Sequence, residues 1–344
     1  MKSRKVYIDF VKAIAIFLVL FNHTGNRGFL IASQRLGSVF YPLYLCTAVL
    51  VKVAVPLFFM ASGALLLSKE EPLENVLKRR FIKYFLSLII FSGIVYLYKI
   101  ASGEITDASI RLYFTGLYTG TIAGHLWYFY AYLAYVLMLP LMRKFVKILS
   151  LNDVKWILLL HFVSQLIPMV LFLAFNEKLS IQGNFNLFVS INYFLFPVMG
   201  YFIDNAPIDK RLASISVIAS ALSIVATCCV MHYNGIITGR FDESYLRNMV
   251  FIHTGTLFYL SKYLFDKCDF SEIVKNVIST IGSLTFGIYV LECIYRKVTE
   301  PVFYFLEPHI GAFASAVIWI FAACTLGGFV TYVLKHMPGM KQLL

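Results

Sequence analysis

The chain has 344 residues, of which 60% are hydrophobic, 17% aromatic and only 14% charged, with a mean hydropathy of +0.77 and a formal net charge of +12. Soluble domains carry about 25% charged and about 45–50% apolar residues, so this composition belongs to a membrane protein. At about 20 apolar residues per crossing, little length remains for a water-soluble domain, which excludes a Rossmann enzyme, a nucleic-acid-binding domain and a disulfide-stapled secreted module.

In chain order, apolar runs fall at about 6–21, 43–67, 81–100, 126–145, 156–175, 187–203, 212–232, 249–265, 277–295 and 310–334. Unpaired backbone polar groups are not tolerated in lipid, and the runs lack the alternation of barrel strands. The expectation is therefore an all-α integral membrane protein: a bundle of about ten transmembrane helices forming a single membrane-embedded domain over 1–344, with no appended soluble domain. The first run carries Asp9 and Lys12 and lacks a small-x-small cleavage site, so it reads as a retained helix rather than a signal peptide.

Lysines and arginines are spread between the runs rather than massed on one polar segment, which argues against nucleic acid as a partner. With the N-terminus in the cytoplasm, nineteen of them fall on inner segments and nine on outer ones. The positive-inside rule then places both termini in the cytoplasm, and the expected location is the plasma (inner) membrane, crossed many times. The six cysteines show no CxxC and no Cys/His ligand spacing, so they read as small buried hydrophobes and no metal is expected. Membrane lipids are the obvious surroundings, and a homo-oligomer is compatible with the composition.

Ionisable residues inside a membrane cost at least about 2.5–3.5 kcal/mol near a helix centre, so they mark candidate sites. Lys12 and His23 are eleven residues apart on the first helix, or about 16 Å along its axis. Lys12 is expected toward the cytoplasmic face and His23 near the outer one. Glu292, near the end of the ninth run, is expected at a similar depth, as are His125-Leu126-Trp127-Tyr128 at the start of the fourth. Histidine passes protons near neutral pH and suits a general base on a hydroxyl, and Glu292 is a candidate to hold its tautomer. His23 as an interfacial histidine and Glu292 as an interhelical structural carboxylate are the plainer alternatives. Asp9 is expected to pair with Lys12, three residues on. Lys52, inside the second run, needs a partner, with Glu292 one option. Arg79, Arg80 and Lys83 open the third helix, either as snorkelling anchors or as a site for anionic nucleotides. Trp127 and Tyr128 read as an interfacial belt or a platform for a sugar ring. Pro56, Pro140, Pro168 and Pro197 are expected to kink their helices.

Tyr7-Ile8-Asp9-Phe10-Val11-Lys12-Ala13-Ile14-Ala15 running on to His23 resembles the first-helix signature of the acyltransferase-3 family of integral membrane O-acyltransferases: a basic residue, ten residues, then histidine. The likeness continues through Val55-Pro56-Leu57-Phe58-Phe59-Met60-Ala61-Ser62-Gly63, the basic start of the third helix, His125-Leu126-Trp127-Tyr128, and Thr285-Phe286-Gly287-Ile288-Tyr289-Val290-Leu291-Glu292. The resemblance implies transfer of an acyl group, commonly acetyl, from cytoplasmic acyl-CoA (acetyl-CoA) to a hydroxyl of a cell-surface or lipid-linked glycan. It puts His23 in the essential histidine's place, Lys12 in that of the paired basic residue, and Arg80 with Lys83 at an Arg-x-x-Arg motif. Lysine replaces the usual arginine at two of these positions, and Glu292 stands where histidine is frequent. On this reading the donor's phosphates stay with Lys12, Arg79, Arg80 and Lys83, and the pantetheine arm threads up to His23. His125, Trp127 and Tyr128 meet the acceptor. The rival function is a glycan or lipid exporter or flippase without acyl transfer.

Overall fold

A computed structural model describes residues 4–176, 192–239 and 241–344; Lys2, Lys178 and Arg240 of the charge count lie outside the described residues, as does the start of the run at 187–203. Among the described residues the regular structure is entirely helical. Seven helical segments are long and apolar enough to cross a membrane: Tyr41–Leu66, Leu73–Ala101, Gly124–Ile148, Leu151–Phe175, Lys210–Thr238, Glu272–Val290 and Ala312–His336. The protein is thus a multi-pass membrane protein whose regular structure, among the described residues, is helical. The remaining apolar runs correspond to α1 (Val6–Asn22), α9 (Asn192–Asn205) and α11 (Val250–Lys267), which are shorter or more polar.

Chain contacts gather the residues into two compact units, one of Met1–Ser68 with Lys144–Ser279, the other of Lys69–Arg143 with Thr280–Leu344. The first contains α1, α2 (Tyr41–Val51), α3 (Ala54–Leu66), α8 (Leu151–Phe175), α9, α10 (Lys210–Thr238) and α11. Its tightest crossing joins α3 to α9. A Cβ at Gly63 would overlap the Pro197 carbonyl and stand 2.5 Å from Pro197 Cα; one at Gly200 would overlap the Met60 carbonyl. Such backbone approach is what small residues permit where lipid offers no hydrophobic drive to association. At the end of α9, Lys262 Nζ donates to the carbonyls of Ile203, Asp204 and Ala206, and Asp204 accepts from Tyr7 and Lys5.

The run at 43–67 is two helices rather than one. Helix α2 ends at Lys52, and Pro56, in the first turn of α3, has no N–H to offer the Lys52 carbonyl four residues back. By contrast, Pro140, Pro168 and Pro197 lie within uninterrupted helices.

In the second unit lie α4 (Leu73–Asn75), a π-helical turn at Val76–Phe81, α5 (Ile82–Ala101), α6 (Ile110–Thr119) and most of α7 (Trp127–Ile148). The end of α12 (Glu272–Val290), α13 (Glu292–Ile310), α14 (Ala312–His336) and α15 (Met340–Leu343) complete it. Helix α6 lies in what hydropathy marks as a loop: the Ser109 hydroxyl caps it by accepting from Leu112 N–H, and Gly120, at φ 74°, ends it. Helix α13 was equally invisible to hydropathy. It is amphipathic, contains Pro301 and Pro308, and gains from ion pairs at Glu292/Arg296 and Lys297/Glu300. Glu292 therefore opens a new helix after a break at Leu291, instead of lying near the end of the ninth run. Gly287 packs against Thr331 and Gly327 against the Tyr295 ring, and these contacts hold α12 and α13 to α14.

Candidate functional site

In the first unit, Asp9 sits in the first turn of α1, 4% exposed, where a negative charge complements the helix dipole. It accepts from Arg4 Nε at 2.5 Å and pairs with Lys12 Nζ at 2.7 Å, as the three-residue spacing predicts. Lys12 thus enters any chemistry already balanced by a carboxylate. One helix length on, His23 caps the C-terminus of α1, half-buried, its N–H donating to the Leu20 carbonyl at 3.1 Å. The turn beyond it is pinned by the buried Thr24, whose hydroxyl donates to the Phe21 carbonyl and accepts from Phe29 N–H.

Lys52, at the α2/α3 break, has a side chain only 10% exposed. Its Nζ donates to Asn22 Oδ1 at 3.0 Å and Glu243 Oε2 at 3.3 Å and lies 4.0 Å from the centre of the Phe29 ring. Glu243, not Glu292, is therefore its carboxylate. The helix break supplies the reason: it turns Lys52 toward the end of α1, beside which the 243–247 turn is folded. Asn22 and Glu243 escape sequence reasoning because they are 30 and 191 residues from Lys52. This cluster surrounds the backbone on both sides of His23, because Asn22 precedes the histidine and Phe29 bonds to the residue after it.

In the second unit, the basic stretch Lys78-Arg79-Arg80 occupies the π-helical turn, and such turns recur at functional sites. Arg79 is exposed and Lys78 pairs on the surface with Glu74. Arg80 turns inward. Its Nε and Nη2 donate to the two oxygens of Glu71 at 2.6 and 3.0 Å, and Arg143 Nη2 adds a third bond to Glu71 at 2.8 Å. The Arg80 hydrogen bond leads in holding the Glu71 carboxyl down to about 2, with Arg143 helping against the opposing effect of burial. Burial, with the charges of Arg80 and Arg143 added, lowers Lys69. One carboxylate thus organises two guanidiniums with a lysine nearby, leaving a net positive surface suited to an anion. Lys83, one turn beyond Arg80, lies 5.8 Å from the Tyr84 ring centre. The sequence does not show that Glu71 joins Arg80 to Arg143, for neither stands at helical spacing from Arg80.

The same unit brings His125 and Glu292 together. His125 lies on a 3-10 turn before α7, buried, with Nδ1 3.8 Å from Glu292 Oε1. Glu292 is fully buried and accepts from Arg296 Nε at 2.5 Å and Nη2 at 3.3 Å; Trp319 Nε1 donates to the Arg296 carbonyl. A buried carboxylate demands such a partner. Arg296 lies four residues after Glu292, a spacing that would have revealed it had the segment been read as helix. Tyr289 donates to the His125 carbonyl at 2.6 Å, and its ring meets those of Tyr128 and Phe129. From there aromatic rings run down α7: Tyr128 to Tyr132 at 5.7 Å, and Tyr132 to Tyr135 and Tyr84 at 5.8 and 4.8 Å. Trp127 is 49% exposed, its ring 6.5 Å from that of Tyr128. The local chemistry is an imidazole beside a charge-paired carboxylate, lined by aromatic faces.

Lys12 and His23 belong to the first unit, and Arg79, Arg80, Lys83, His125, Trp127, Tyr128 and Glu292 to the second. Among the described residues no group of three His, Cys, Asp or Glu side chains could hold a metal ion. No curated protein and no solved structure matches the chain. A family model described as an acyltransferase domain does match, over residues 5–334, and so includes every candidate residue above. With a match of that extent, on a helical chain with seven candidate crossings, the protein belongs to the acyltransferase-3 family of membrane acyltransferases.

Proposed function

We propose that this chain is a ten-crossing plasma-membrane O-acyltransferase, both termini cytoplasmic, that moves an acyl group, acetyl in the first instance, from cytoplasmic acyl-CoA to a hydroxyl of a cell-surface or lipid-linked glycan. The observation that carries the reading is the family match over residues 5–334, which includes Lys12 and His23, eleven residues apart. His23 takes the proton of the acceptor hydroxyl, which then attacks the thioester carbon; the thiolate of coenzyme A leaves and is protonated. A general base of this kind contributes about 10²–10⁴ in rate. Lys12, Arg79, Arg80 and Lys83 are the proposed phosphate-binding cations, with Arg80 pre-oriented by Glu71. His125, Trp127 and Tyr128 are the proposed acceptor-binding residues, their aromatic faces suited to sugar rings. Glu292 is proposed to hold the tautomer of the His23 imidazole; that this carboxylate is fully buried and already stands 3.8 Å from the His125 ring supports a carboxylate–imidazole role.

The test is release of free thiol from acetyl-CoA by purified protein with candidate glycans, alongside stabilisation of the protein by coenzyme A alone. Acceptor-dependent thiol release lost in His23→Ala establishes the reading. An absence of both coenzyme A stabilisation and thiol release, with glycan movement across vesicles intact, replaces it with a carrier.

A further inference from the structure

In the first unit, α2 and α10 run side by side in opposite directions, and two cross-contacts mark their register. Tyr41 and His232 face each other with ring centres 5.5 Å apart, and the Tyr41 hydroxyl lies 3.4 Å from His232 Nδ1. Five residues further along α2 and four residues back along α10, the half-buried thiols of Cys46 and Cys228 meet with their sulfurs 3.8 Å apart. We propose that Cys46 and Cys228 are a modification site: an oxidisable pair that forms a disulfide and ties α2 to α10.

A disulfide needs its sulfurs at about 2.05 Å. The closure is a movement of about 2 Å, within reach of side-chain rotation about χ1 on helices that already touch. The tie joins residues 182 apart in sequence, and long loops of this kind are where a cross-link most restricts the unfolded chain. It also spans the Lys52–Glu243 pair, since Lys52 ends α2 and Glu243 follows α10. The oxidant is a disulfide donor of the thiol–disulfide exchange class. One protein thiolate attacks the donor disulfide and displaces a donor thiol; the second thiolate attacks the mixed disulfide and releases the other. Two hydrogens and two electrons pass to the donor, and the protein gains one sulfur–sulfur bond. The proposal is independent of the acyl-transfer reading.

The experiment treats membranes containing the full chain with diamide, a permeant oxidant that takes up two hydrogens from a pair of thiols. Alkylation with N-ethylmaleimide, digestion without reductant and peptide mass spectrometry follow. The expected result is a linked peptide pair carrying Cys46 and Cys228, lighter by two hydrogens than its parts, with two of the six thiols lost to alkylation and recovered with dithiothreitol. Cys229→Ser, which changes the exposed neighbour, leaves the link intact, whereas Cys46→Ser removes it. Full alkylation of Cys46 and Cys228 after oxidation, or a link from either one to a different cysteine, overturns the proposal. The wild-type chain decides this by itself, whatever the stability of the variants.

Discussion

Replacing Glu71 with glutamine tests the clamp on Arg80 and Arg143. The carboxylate accepts three hydrogen bonds from two guanidiniums whose side chains are 21% and 8% exposed. Glutamine keeps one acceptor oxygen but turns an amide donor toward the other guanidinium, so a charge-assisted bond becomes a repulsion. Lowering the carboxyl from 4.5 to about 2 corresponds to about 3 kcal/mol as a ceiling, and screening by water at the loop reduces this to about 1–2 kcal/mol. For a chain of this size that is about 1–3 °C in Tm. Because the folded carboxyl ionises below its unfolded counterpart, the stabilisation is complete above the unfolded value of 4.5 and is lost as the pH falls through about 2. Thermal unfolding of wild type and Glu71→Gln in one detergent should therefore differ by a constant amount from pH 7 to 5, with the gap closing only in strong acid. Equal Tm values at pH 7, or a gap that closes between pH 7 and 5, would refute the clamp.

Loss of His23 as His23→Ala should reduce acceptor-dependent thiol release by about 10²–10⁴-fold with the protein still folded; full turnover removes the base assignment. Arg80→Ala should raise the KM for acyl-CoA more than that for the glycan, and initial-rate measurements in both substrates separate the two. Gly63→Ala and Gly200→Ala each force α3 and α9 apart and should cost about 2–3 kcal/mol or more, read as lost folded yield. Gly255→Ala, whose Cβ meets only the flexible end of Met199 at 3.1 Å and Ile203 at 3.9 Å, should be mild by the same assay. Removing Arg296 alone leaves Glu292 buried without its main cation and should destabilise by about 3–5 kcal/mol; Arg296→Met with Glu292→Leu should recover most of that, and a thermal-unfolding cycle measures the coupling.

Features of short range were legible along the chain. Apolar runs must become helices in lipid, because only the helix satisfies its own backbone, and so positions such as 126–145 and 156–175 emerged as α7 and α8. The Asp9–Lys12 pair followed from helical spacing, and His23 fell at the end of α1 where counting from Lys12 puts it. Helix α13 lay beyond this reasoning, since its ion pairs and packing against α14 stabilise a segment that hydropathy reads as loop.

Partner choice for the charges paired between distant segments belonged to the folded chain alone. Glu71 reaches Arg143 across 72 residues, Lys52 reaches Glu243 across 191, and Cys46 meets Cys228 across 182. A charge displaced from water announces in the sequence that it needs a counterion, because its desolvation cost is a property of the residue. Which counterion it finds depends on the crossing of helices and on breaks such as the one at Lys52, and these are set by packing between distant segments.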